Sequence, residues 1–235
     1  MKWLKVLTWE SSDPLRGYVL VLTIGIVAIF LKISLIKGVS FILMSKPKVL
    51  LQYSIFTMFS FKAYIACSLG ISFLVSLAIR GERDEGGVYF TYSLPYNPRL
   101  IFLAKIASAY ILSLTTLTVV HALLFFSHFS SEPRIASITV LRSLPTLVIF
   151  YAIVLLYIVA LSSISASLLP NASTAGILSF FLIFGISDNI REFNPVLTLH
   201  DVFIKSNYRA LLPYFLVSIV LIPLSIEIMS RRDIR

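Results

Sequence analysis

GYVLVLTIGIVAIFLKISLI, residues Gly17 to Ile36, stands between Arg16 and Lys37. Its one charge, Lys32, lies close enough to the end of the run for its stem to carry the ammonium to the surface. A bilayer core of about 30 Å takes roughly 20 apolar residues as a helix, so this stretch reads as a membrane span. It is too long for the apolar part of a cleaved signal, and no small-x-small site follows it.

The same pattern recurs along the chain. Further spans are expected within Tyr53 to Ile79, Ile106 to Phe129, Leu144 to Ser163, Thr174 to Ile186 and Ala210 to Met229. Composition agrees: 58% of the 235 residues are hydrophobic and 13% charged, with mean hydropathy +0.93. Soluble domains run near 45–50% apolar and about 25% charged, so soluble enzymes and disordered chains are excluded. The formal charge of +9 does not point to nucleic acid, because the basic residues sit singly or in pairs at the ends of apolar runs, where headgroups lie. The partner they fit is the lipid bilayer. Cys67 is the sole cysteine, so the chain has no internal disulfide.

The expected fold is therefore an all-α integral membrane protein of six transmembrane helices, a single transmembrane domain over 1–235. Residues 2–13 begin KWLKVLTWE, with Trp3, Leu4 and Leu7 on one helical face. That pattern suits a helix lying in the membrane interface, with an untied tail as the other reading. The segment 188–208 follows a short fifth run and is apolar from Phe193 to Ile204, which suits a re-entrant piece on the outer side. Six spans bring both termini to one side. Placing them inside gives ten Lys and Arg on inner segments against eight on outer ones, a small positive-inside excess.

No catalytic constellation emerges. The carboxylates lie in loops apart from Glu227, two residues before the end of its run, and His121, His128 and His200 have no metal-ligand spacing. Gly81 and Gly86 have the glycine spacing of a phosphate loop, but Gly87 stands where its lysine must be. The chain is not expected to be an enzyme or to bind a cofactor itself. Lys62 lies nine residues into the second run. Either it faces a substrate path, since charge at mid-bilayer is costly, or the span begins near Lys62 and the preceding residues lie at the outer surface.

The one dense polar stretch is Arg80 to Lys105, RGERDEGGVYFTYSLPYNPRLIFLAK. Asn97-Pro98 reads as an N-cap followed by proline at the first helical position, so a helix should start there and run through Lys105 into the third span. Arg99 in its first turn opposes the macrodipole, which suggests a carboxylate partner outside the chain, with plain solvation as the other reading. Two readings of the loop stand: a solvated connection, or a rigid projection that receives a mechanical push.

These residues resemble a family. Glu82-Arg83, Gly86, Pro95 and Lys105 fall at the spacing of permeases of the type-two ABC exporter class, which show E-R-x-x-G leaving the second span, a P-x-S-R-like turn and G-K before the third. Here Asn97 takes the serine place, Pro98 the arginine place, Arg99 comes one position late, Ala104 replaces the glycine, and Gly87 stands where threonine is common. Ser230-Arg231-Arg232-Asp233-Ile234 is similar to the family's terminal segment. The resemblance implies a permease half that pairs with an identical or related half in the plasma membrane, both termini cytoplasmic. Separate ATPase subunits would hold ATP and magnesium and dock on a cytoplasmic coupling helix in the loop 80–105. Glu82, Arg83, Asp84, Gly86, Pro95, Asn97, Pro98, Arg99 and Lys105 are the coupling candidates this implies, and the path would be lined by the second and fifth spans. A non-transport membrane scaffold of the same architecture is the alternative.

Overall fold

The computed structural model describes residues 14–42, 55–84 and 97–232. The interfacial helix expected over 2–13, Gly86 and Pro95 of the loop, and Asp233-Ile234 lie outside the described residues. Among the described residues seven α-helices carry the fold: α1 (Pro14–Ile42), α2 (Phe61–Asp84), α3 (Pro98–His128), α4 (Pro133–Leu168), α5 (Ala172–Asn189), α6 (Pro195–Ile204) and α7 (Leu212–Arg232). No strand occurs among the described residues. All but α6 are long and apolar enough to cross a membrane, and the chain is a multi-pass helical membrane protein.

Local chemistry sets the helix starts. Proline, which lacks the N–H that a first turn cannot use, opens α1, α3, α4 and α6. Asn97 accepts from the Arg99 N–H at 3.0 Å. Asn194 likewise accepts from the Val196 and Leu197 N–H groups. These caps lie outside the apolar runs, so the helices outreach the spans expected from hydropathy. The third begins at Pro98 rather than Ile106, and the fourth covers Pro133–Leu168 rather than Leu144 to Ser163. At about 1.5 Å per residue the 36 residues of α4 extend roughly 54 Å, well beyond a bilayer core. Backbone hydrogen bonding continues after lipid ends, and hydropathy does not register it.

The second span differs in the opposite sense. The chain makes a helical turn at 55–57, then a bend, and α2 starts only at Phe61. His121 fixes that turn: its Nε2 donates to the Ile55 carbonyl at 2.7 Å and its Nδ1 accepts from the Tyr151 hydroxyl at 2.8 Å. Ile55 accepts through its carbonyl, which assigns the ring proton to Nε2. The expected re-entrant segment is a 3-10 turn (Arg191–Phe193), the helix α6 and a second 3-10 turn (Tyr208–Leu211).

The helices run up and down. Arg16 of α1 lies beside Ala78 near the end of α2, while Lys32 lies beside His128 at the end of α3. The described starts of α1, α3 and α5 therefore share one end of the bundle with the finishes of α2, α4 and α7. Helices α2 and α4 form the centre, each two-thirds buried, whereas α1 and α7 are only 22% buried and present their apolar sides outward. Lipid offers no hydrophobic drive between helices, so close approach and polar contacts hold the centre. A Cβ at Gly70 would overlap the Thr23 side chain of α1, and one at Gly176 would stand 2.9 Å from the Phe73 ring. A buried serine seam runs beside α4: Ser162 donates to the Ile158 carbonyl, with its oxygen 3.2 Å from the Ser72 hydroxyl of α2, and Ser163 to the Ala160 carbonyl, with its oxygen 3.1 Å from the Ser225 hydroxyl of α7.

Candidate functional site at the charged end of the bundle

A helix ends with carbonyls that have no partner within it, and the next begins with N–H groups in the same position. At the turn from α4 to α5 both sets lie side by side, and α2 supplies a residue to each. Arg80, fully buried, donates through Nε to the Ala166 carbonyl at 2.6 Å and through Nη2 to the Ser167 carbonyl at 3.0 Å. One turn later Asp84 accepts from the Ala172 N–H at 2.8 Å. The cation meets the negative pole of α4 and the anion the positive pole of α5, the favourable sense for each macrodipole. Residues four apart on a helix share a face, so the last turn of α2 grips both sides of one connection.

A second tie joins α3 to α7 at the same end. Asn97 and Pro98 start α3, which turns the Arg99 guanidinium to Glu227 at 2.8 Å, and Arg231 takes the other carboxylate oxygen at 2.8 Å. The carboxylate expected for Arg99 outside the chain is thus supplied within it, by the one acid that lies inside an apolar run. Arg16 adds a third tie, donating to the Ala78 carbonyl at 3.4 Å from a buried position.

The structure therefore brings Asp84, Asn97, Pro98 and Arg99 to one end. Glu82 and Arg83 belong to the last turn of α2. Lys105, two turns into α3, is buried at 2% exposure, away from any surface a partner would touch. Lys62 is at the opposite end, exposed in the first turn of α2. The depth that marked it as a path residue came from counting from Tyr53, and the bend before Phe61 removes that depth. Arg80 and Glu227 are the residues the sequence did not single out as parts of this site. Arg80 closes an apolar run, as basic residues commonly do, and its partners are backbone carbonyls that leave no mark on sequence.

Beyond the spanning helices, Lys205 holds the Asp201 carboxyl below its ordinary range by a hydrogen bond of 2.8 Å, with His200 adding to the effect. No group of three or more His, Cys, Asp or Glu placed to hold a metal ion occurs among the described residues. The second and fifth spans are in contact, as the Gly176–Phe73 approach and a Tyr64–Ser187 hydrogen bond of 2.7 Å attest. No family model matches the sequence, and no curated protein and no solved structure matches it either.

Proposed function

We propose that this chain is the permease subunit of an ABC-type exporter, one of two transmembrane halves driven by separate ATPase subunits. The observation that carries the reading is the way helix ends are tied together around the segment between α2 and α3. Displacing the end of α2 loads the α4–α5 turn through Arg80 and Asp84. Displacing the start of α3 loads α7 through Arg99 and Glu227. A force applied at this one place reaches three other helix termini through short polar contacts, as a mechanical input requires. In this reading that end faces the cytoplasm across the plasma membrane. The ATPase pair holds ATP and magnesium, and its nucleotide state drives the permease only by favouring one conformation over the other.

The test pairs Asn97→Ala with Arg99→Glu. Loss of the cap costs typically about 1 kcal/mol, enough to fray the start of α3 and too little to unfold the bundle, while the charge reversal sets a carboxylate against Glu227. Insertion and pairing of the two halves should persist, with ATPase copurification weakened or ATP turnover no longer dependent on substrate. Adding Glu227→Arg restores an ion pair of opposite sense, and recovery of coupling would assign Arg99 an internal role. Normal attachment and coupling in the double variant would remove this segment as the input. A purified complex without any ATPase would favour the scaffold reading.

A further inference from the structure

At the opposite end of the bundle, α6 and its flanking 3-10 turns border an open cavity of about 320 Å³, lined among others by Arg191, Glu192, Leu197, Asp201, Asn207 and Arg209. The backbone builds it. Ser206 takes a left-handed conformation, φ 51°, and the Asn207 N–H donates back to the Asp201 carbonyl at 3.0 Å. The chain thereby reverses at the end of α6 and carries Arg209 over to the side where Arg191 stands.

Charge bookkeeping identifies what the cavity lacks. Asp201 is paired with Lys205 at 2.8 Å, which removes that carboxylate from the balance. Two guanidiniums and one carboxylate, Glu192, remain around the space, an excess of one positive charge. Neither arginine makes an ion pair or hydrogen bond with the described residues, although guanidinium groups are shaped to bind two oxygens of an oxyanion at once. The surroundings identify the kind of anion. Leu197 belongs to the lining and is 45% exposed, and Ile190 and Leu212 on either side are also exposed. Ile190 and Leu212 end and begin helices long and apolar enough to cross a membrane, so exposed apolar side chains and the two guanidiniums meet at this cavity. Its volume lies at the small end of the range for ligand sites, roughly 300–1,000 Å³, and a single charge balances a diester.

We infer that Arg191 and Arg209 hold the phosphodiester of a phospholipid headgroup in this cavity, with the acyl chains running down past Leu197 and Leu212. The site depends on the membrane-spanning bundle and not on the transport reading, so the two stand or fall separately.

The experiment is native mass spectrometry of the purified full-length protein in detergent, titrated with dioleoyl phosphatidylglycerol. Dioleoylglycerol, with the same chains and no phosphate, and inorganic phosphate are the comparison probes. The wild type should retain one phosphatidylglycerol, and the double variant Arg191→Gln, Arg209→Gln should bind it about tenfold or more weakly, the effect of losing charge-assisted hydrogen bonds. Arg134→Gln with Arg142→Gln, which removes the same charge from the same end outside the cavity, should bind as wild type. Both arginines of the site are exposed, and a monodisperse elution profile verifies that the variant is folded. Equal retention by the double variant, equal loss in the control variant, or equal retention of dioleoylglycerol would each overturn the proposal. Displacement of the lipid by millimolar inorganic phosphate would make this a free-anion site and overturn its lipid assignment.

Discussion

Arg80 is the residue on which the charged end of the bundle depends. Its guanidinium is fully buried and spent on carbonyls of α4. Hydrogen bonds to a charged group contribute about 1.5–3 kcal/mol each, so Arg80→Met should destabilise the bundle by about 3 kcal/mol or more. Arg80→Lys should recover only part of this, because an ammonium cannot reproduce the planar fork. Asp84→Ala, which takes an acceptor from the N–H of buried Ala172, should cost less, about 1–2 kcal/mol. Thermal unfolding in detergent measures all three, and an Arg80→Met midpoint equal to wild type would refute the assignment. The order of these effects was not legible in the sequence, where Arg80, Arg83 and Asp84 are three charges in one polar run. Burial separates Arg80 from Asp84, and the partners of both are main-chain atoms common to every residue. Lys62 shows the converse. Its place in an apolar run was legible, but a bend of a few residues decides whether that place is deep, and hydropathy averages across the bend.

At the scale of elements, what the sequence displayed best was the caps. Asn97-Pro98 was readable as a helix start because the reason is local: one side-chain oxygen, one missing N–H. Helix ends set by contact with other helices were not readable, since the tertiary structure supplies the partner. The α1–α2 crossing is such a contact. Gly70 there meets Thr23, whose own hydroxyl donates to the Val19 carbonyl at 2.7 Å, so the threonine is held and yields little. Gly70→Ala should therefore loosen α1 from α2, with a loss of roughly 1–3 kcal/mol as in other overpacked cores. Thr23→Ala should restore most of it by vacating the space that the new methyl needs. A double-mutant cycle on unfolding midpoints checks this, and additive losses would mean that the two positions do not meet.

Across the whole molecule, six spans were legible because lipid imposes a length and a composition that few other environments do. Which end faces which compartment is a separate matter, since ten basic residues against eight give only a small asymmetry. Ser131 and Ser173 are exposed at opposite ends of the bundle, and Cys67, the native thiol, is buried at 1% exposure. Cysteines placed at the two serines should therefore label cleanly: Ser131→Cys by an impermeant reagent from outside, Ser173→Cys only after the membrane is opened. The reverse pattern would invert the topology and the side on which an ATPase is proposed to dock. The serine seam bears on what such a bundle can do once loaded. Each hydroxyl that reaches across from α4, at 3.2 Å from Ser162 and 3.1 Å from Ser163, also holds a shorter bond to a carbonyl of its own helix. Interhelical bonds of this kind average about 0.6 kcal/mol in a membrane protein, so Ser72→Ala and Ser225→Ala should each leave the unfolding midpoint almost unmoved, whereas a large shift would show these contacts to be structural. A slide of α4 past its neighbours would leave its hydroxyls bonded to their own helix and strand nothing. The centre of the bundle is built as a bearing, bolted at its charged end and greased along its length.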